Sequence, residues 1–94
     1  LSAPIRALIV DDHRLFNDGL NAMLASELGI KVVGQLYHSK DAPHAVAHLR
    51  PDVLLMDFNM PGINGLEMTR QLLAQHPTLP ILILSMYSEK RYVE

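Results

Sequence analysis

The chain has 94 residues, the length of one small domain. Its formal net charge of −2, with Lys90-Arg91 as its densest basic stretch, argues against direct binding to nucleic acid or to an anionic membrane. The absence of cysteine excludes disulfides and thiolate metal sites, and fits a reducing, cytoplasmic location. No apolar run approaches the roughly 20 residues that a bilayer span requires.

Four apolar runs predict β-strands. The runs ALIV (7–10), VLLM (53–56) and ILIL (81–84) are short and almost wholly aliphatic, a pattern that predicts strands buried on both faces. Burial on both faces is typical of parallel strands that helices cover. The weaker run KVVGQLY (31–37) contains Gly34, and this favours a position at the edge of the sheet.

The first strand is followed by a predicted amphipathic helix over about residues 13–28. Asp12 is its expected N-cap, and Gly29 is expected to stop it. The apolar positions recur at helical spacing and are Leu15, Phe16, Leu20, Met23, Leu24 and Leu28.

Three more helices are predicted further along the chain. The second opens at Asp41 as its cap and ends before Pro51, the third covers about residues 65–76, and a fourth starts at Ser88. Helical crossovers of this length require parallel strands with right-handed connections. The predicted fold class is therefore α/β, a doubly wound parallel sheet.

Polar side chains stand where three of these strands end. Asp11 and Asp12 follow the first strand, Asp57 the third and Ser85 the fourth. Ligands of such sheets bind outside the carboxyl ends of the strands, so these residues are expected to form one site. Three neighbouring carboxylates require a compensating cation or protons, and hard oxygen ligands suit Mg²⁺. Asp57 can then serve as a nucleophile that forms an aspartyl phosphate.

Three anchors in the right order support a family assignment. They are VDDH (10–13), LMDFNMPGING (55–65) and ILSM (83–86). With these anchors the chain resembles the receiver domain of bacterial two-component response regulators. The resemblance implies a flavodoxin-like sheet with strand order 2-1-3-4, and a signalling phosphoacceptor whose only catalysis is its own phosphotransfer and dephosphorylation.

The resemblance also implies roles for single residues. Asp57 would accept a phosphoryl group from the phosphohistidine of a sensor histidine kinase. Mg²⁺ would be bound by Asp12 directly, by Asp11 through water, by Asp57 and by the backbone carbonyl of Asn59. Ser85 would be the switch hydroxyl that bonds the phosphoryl oxygen.

Two further stretches, DHRLFNDGL (12–20) and SMYSE (85–89), resemble the LuxR type of regulator, whose receiver precedes a DNA-binding domain. DNA would therefore be contacted only through an output domain that these residues do not include. A receiver of this family has roughly 120 residues with a fifth strand and a fifth helix. Residues 1–94 are thus expected to be a receiver domain that is incomplete at its C-terminus.

The expected truncation has two consequences. The lysine that the family places at the end of its fifth strand would lie beyond Glu94, and phosphotransfer by the 94-residue chain should be impaired. The fourth strand, without a fifth beside it, would be an exposed apolar edge that invites pairing with a second copy. One of two outcomes is therefore expected: a longer chain with a mobile tail, or a homodimer in which the two copies cover this edge.

Other interpretations remain open. Asp11 and Asp12 could be a helix cap with a solvated neighbour. A pseudo-receiver would keep the fold as an interaction module without phosphotransfer. A haloacid-dehalogenase-like phosphatase is disfavoured, because Asn59 replaces the second Asp of its Asp-x-Asp motif. The histidines at 44 and 48 are interpreted as a solvated helix face, since no third metal ligand accompanies them.

Overall fold

The computed structural model describes residues 3–57 and 65–84. Four parallel strands form one sheet in the order β2-β1-β3-β4, which confirms the predicted α/β fold and strand order. Three predictions lie outside the described residues: the metal ligand at Asn59, the switch hydroxyl at Ser85 and the helix that starts at Ser88. The strands are β1 (Ile5–Val10), β2 (Ile30–Leu36), β3 (Val53–Asp57) and β4 (Ile81–Leu84).

Helices connect successive strands in this part of the chain. They are α1 (Arg14–Ala25), α2 (Ala42–Leu49) and α3 (Gly65–Gln75), with a short 3₁₀ turn at Ser39–Asp41. Among the described helices, none combines the length and the apolar composition that crossing a membrane would take.

The core lies between the centre of the sheet and the helices α2 and α3. It is aliphatic and contains methionine, as the low aromatic content predicts. Burial of this apolar surface is the main favourable contribution to folding. The buried core residues are Leu8, Val10, Ala42, Ala45, Val46, Leu54, Met56, Met68 and Leu72.

The ends of α1 differ from the prediction. His13, and not Asp12, occupies the N-cap position, and its side chain forms no capping hydrogen bond. The helix stops at Ala25 instead of continuing to residue 28, because the backbone N–H groups of Ser26 and Glu27 bond to carbonyls three residues back and tighten the last turn. Gly29 is therefore not the helix stop, and its carbonyl instead accepts a hydrogen bond from the backbone of β1.

The faces of α1 also differ from the periodic pattern. Leu15 is 90% exposed, and Met23 and Leu28 are also exposed, although the spacing placed all three on the apolar stripe. Of the six apolar positions predicted for this helix, only Phe16, Leu20 and Leu24 are partly buried. The fully buried residue of α1 is a polar one, Asn17.

The two outer strands of the described sheet are not alike. β2 lies at one edge as Gly34 predicts, and its register with β1 shifts between Ala7 and Leu8, which marks a bulge. β4 lies at the other edge, and the prediction that it is buried on both faces is wrong: Leu82 and Ile83 are exposed. The cause is position, since β4 pairs with β3 alone among the described strands.

The boundaries of α2 agree closely with the pattern. Asp41 is the N-cap residue, although its side chain forms no capping hydrogen bond. Arg50 ends the helix in a left-handed conformation, with φ 49° and ψ 61°. The α-helical backbone conformation is disfavoured for a residue that precedes proline. Pro51 therefore explains why the helix ends at this point.

Candidate functional site: an acidic cluster at the strand ends

Three carboxylates meet at the carboxyl ends of β1 and β3. Val10 pairs with Met56 in the parallel register, so Asp11 and Asp57, the next residues, share one edge of the sheet. Side-chain ligand atoms of Asp11, Asp12, His13 and Asp57 all lie within 4.8 Å of one another. The structure thus brings together the three aspartates expected at this site.

The cluster is largely withdrawn from water. Asp11 is 1% exposed and Asp57 is 3% exposed, whereas Asp12 and His13 are partly exposed. Burial of a carboxylate is expensive unless a positive charge or hydrogen-bond donors compensate it. The buried carboxylates of this site therefore need hydrogen-bond donors or a positive charge beside them.

His13 is a further side chain of this cluster, one that the sequence analysis did not assign to the site. Its Nδ1 lies 3.1 Å from Asp11 Oδ1, 3.3 Å from Asp12 Oδ1 and 3.7 Å from Asp57 Oδ2. The hydrogen bond to Asp11 raises the pKa of His13 above its ordinary value of 6.5, and the charges of the three carboxylates act in the same direction. The signal available in the sequence was its position directly after the Asp pair.

The two oxygens of Asp11 have different environments. Oδ1 accepts a hydrogen bond from the backbone N–H of His13 at 2.8 Å. Oδ2 is buried and accepts no hydrogen bond from any described residue. A buried carboxylate oxygen of this kind is available to a cation.

The donor chemistry of the cluster fits Mg²⁺. Carboxylate oxygens are the hard ligands that this ion prefers, whereas an imidazole nitrogen suits softer metals. Asp11, Asp12 and Asp57 would therefore hold the ion, and the buried Oδ2 of Asp11 is the observation that supports this fit.

The second group of histidines takes no part in this cluster. The rings of His44 and His48 stack on α2 with centroids 4.9 Å apart, and both residues are exposed. Their position agrees with the predicted solvated helix face. In the described part of the chain, neither residue belongs to a group of three or more metal-binding side chains.

Comparison of the sequence with known protein families identifies the family of this chain. The sequence profile of the response regulator receiver domain matches residues 7–94. This chain belongs to the response regulator receiver family. The family assignment made from the three sequence anchors is therefore confirmed.

Individual relatives support the same family. The chain is 40% identical to the transcriptional regulatory protein DegU of Brevibacillus brevis, over 95% of this chain and 38% of that protein. It is 45% identical to the response regulator GacA of Pseudomonas viridiflava, over 90% of this chain and 40% of that protein. The chain thus spans about two fifths of the length of these relatives.

A solved structure shows the same architecture. The crystal structure of a two-component response regulator of the LuxR family from Aurantimonas sp. SI85-9A1 superposes with a TM-score of 0.84 at 28% identity. The match covers 89% of this chain and 60% of that one. The receiver fold, with its strand order, is therefore shared.

Proposed function

We propose that this chain is the phosphoacceptor part of a two-component response regulator and that Asp57 takes the phosphoryl group. The observation that carries the proposal is the buried Asp57 carboxylate, at the end of β3, within 4.8 Å of two further aspartates. Membership of the receiver family supports it. Residues 1–94 would then form most of one receiver domain.

The phosphotransfer is a single displacement at phosphorus. A carboxylate oxygen of Asp57 attacks the phosphorus, and the P–N bond to the donor imidazole breaks. The electron pair of that bond returns to the imidazole nitrogen, and the product is an acyl phosphate on Asp57. Water later attacks the phosphorus, which releases inorganic phosphate and restores the carboxylate.

The residues that would hold Mg²⁺ are Asp11, Asp12 and Asp57. By family resemblance, the backbone carbonyl of Asn59 completes this set and Ser85 provides the switch hydroxyl. When bound, the ion supplies the positive charge that offsets the negative charge on the transferring group. Asp11 and Asp12 then serve to fix that charge beside the nucleophile.

The partners follow from the class of protein. The phosphoryl donor is a sensor histidine kinase, and the output is transcription through a DNA-binding domain that residues 1–94 do not contain. The name of the relative DegU, a transcriptional regulatory protein, supports this output. The cytoplasm is the compartment in which such a donor and DNA are both accessible.

Beryllofluoride binding, followed by ¹⁹F NMR, tests the proposal. Beryllofluoride occupies the position of a phosphoryl group on a carboxylate, and we expect it to bind only when Mg²⁺ is present. The variant Asp57→Asn should bind none, because an amide oxygen is a poor ligand for beryllium. Because phosphotransfer by residues 1–94 alone is expected to be impaired, the experiment uses the full-length natural protein. A protein that does not bind beryllofluoride with Mg²⁺ would instead be a pseudo-receiver. A chain that continuously hydrolyses small phosphate esters would be a phosphatase.

A further inference from the structure

Asn17, on α1, is a fully buried amide whose side chain contacts the main chain of Asp11. Its Nδ2 donates to the main-chain oxygens of Asp11 and Leu36, each at 3.0 Å. Its Oδ1 accepts a hydrogen bond from Gln35 Nε2 at 2.9 Å. A buried amide is costly unless its donors and acceptor are satisfied, and these three bonds satisfy both ends of it.

One of these side-chain bonds and one backbone bond of Asn17 hold the two ends of the short connection between β1 and α1. The side chain of Asn17 holds the carbonyl of Asp11, and its backbone N–H donates to the carbonyl of His13 at 2.9 Å. The carbonyl of Leu36, which shares the Asn17 amide, also accepts the backbone N–H of Asp11 at 3.0 Å. Asn17 thus holds the segment that carries Asp11 and Asp12.

The network continues to the surface through Gln35. The same Nε2 of Gln35 donates to Asp18 Oδ1 at 2.9 Å, and the Tyr37 hydroxyl donates to this oxygen at 2.7 Å. Gln35 is therefore held by contacts on both sides, and it fixes the orientation of the Asn17 amide.

We propose that Asn17 is the positioning residue of the carboxylate site: it sets the direction of Asp11 and Asp12 and thereby the affinity for Mg²⁺. The inference rests on the proposed function, since it assumes that these aspartates hold the ion. Metal affinity is sensitive to the groups that orient the ligands, and loss of such a group typically weakens binding about tenfold or more.

The test is the Mg²⁺ affinity of Asn17→Leu, measured by isothermal titration calorimetry at a temperature where circular dichroism shows each variant folded. Leucine has a similar size and no hydrogen-bonding group. The control is Leu72→Val, a substitution of a buried core residue on α3, which lowers stability and removes no hydrogen-bonding group. We expect about tenfold weaker binding for Asn17→Leu and unchanged binding for the control.

A second variant keeps the test decisive if Asn17→Leu does not fold. Gln35→Met keeps the length of the side chain and removes its donor to Asn17, and we expect Mg²⁺ binding to weaken by about twofold or more. The positioning role would be overturned if whichever of Asn17→Leu and Gln35→Met folds binds Mg²⁺ as tightly as the parent. It would also be overturned if that variant and Leu72→Val lose Mg²⁺ affinity equally.

Asp12→Asn separates this inference from the proposed function. If the parent binds Mg²⁺ and Asp12→Asn does not, the metal site stands, and parent-like binding by Asn17→Leu would then refute the positioning role alone. If the parent binds no Mg²⁺, or if Asp12→Asn binds it as tightly as the parent, the proposed metal site itself is wrong.

Discussion

Asp11 and His13 are joined by two contacts to one oxygen atom. The backbone N–H of His13 donates to Asp11 Oδ1 at 2.8 Å, and Nδ1 of the same histidine lies 3.1 Å from that oxygen. Asp11 Oδ2 accepts no hydrogen bond from the described residues. The carboxylate is thus held by one oxygen and leaves the other for a cation.

The first prediction concerns the metal. Asp12→Ala should remove most of the Mg²⁺ binding, because the remaining carboxylates are too few to offset the dehydration of the ion. The measurement is calorimetric titration of parent and variant. The control is Glu27→Gln, which removes an exposed carboxylate in the turn between α1 and β2 and should leave binding unchanged. Equal affinities of Asp12→Ala and the parent would refute the assignment.

A second prediction compares two glycines. A Cβ at Gly34 would lie 3.0 Å from Leu8 Cδ1 and 3.1 Å from Leu49 Cδ1, and Leu8 is fully buried. We expect Gly34→Ala to lower the free energy of unfolding by about 1 kcal/mol through overpacking. Gly19, in the interior of α1, has nothing within 4 Å of its Cβ position, so Gly19→Ala should stabilise by about 0.5–1 kcal/mol.

Urea unfolding of the two alanine variants measures both changes. Changes of the same sign would contradict the packing argument, because both substitutions add one methyl group and only the one at Gly34 meets packed side chains.

The third prediction is a pH dependence at Tyr37. Its hydroxyl donates to Asp18 at 2.7 Å, and this hydrogen bond is the main reason that the pKa of Tyr37 is raised above 10.0. The unfolded chain releases this proton near pH 10 and the folded chain at higher pH. The contribution to stability is therefore fully present below pH 10 and is lost as the pH rises through the folded pKa.

Urea unfolding of the parent and of Tyr37→Phe over a pH series measures this contribution. The difference between their free energies of unfolding should be constant below about pH 9 and should shrink above about pH 10. A difference that stays constant through the alkaline range would show that the hydrogen bond does not shift the pKa.

The fourth prediction concerns the edge strand β4. Leu82 is 55% exposed and Ile83 is 38% exposed, and an exposed apolar edge can pair with another chain. We expect the 94-residue chain to associate with increasing concentration, as measured by light scattering. A lysine at this edge, Leu82→Lys, should reduce association. The matched control is Leu28→Lys, at a fully exposed leucine in a turn. A chain that is monomeric throughout would contradict this prediction.

Much of the fold followed from the sequence because short aliphatic runs between turn residues mark strands. The aliphatic runs that became β1, β3 and β4 were identified from composition, and Gly34 marked β2 as an edge strand. The meeting of Asp11 and Asp57 followed from topology alone, since parallel strands end at one edge.

The remainder depended on contacts between distant residues. Helical spacing placed Leu15 on the apolar stripe of α1, yet it is exposed, while the polar Asn17 is buried. Asn17 can be buried because Asp11, at the end of β1, and Leu36 and Gln35, on β2, supply its hydrogen-bonding partners. Periodicity within one helix contains no information about those partners.

The most direct test of the account is phosphorylation of Asp57. The samples are the full-length natural protein and its variants Asp57→Asn and Asp52→Asn. Each is incubated with acetyl phosphate and Mg²⁺ and analysed by intact mass spectrometry. Asp52 is the matched control, an exposed aspartate directly before β3, whereas Asp57 is the buried aspartate at its end. We expect one hydroxylamine-sensitive phosphoryl group on the parent and on Asp52→Asn, and none on Asp57→Asn. A hydroxylamine-sensitive phosphoryl group on Asp57→Asn, or none on the parent, would contradict it.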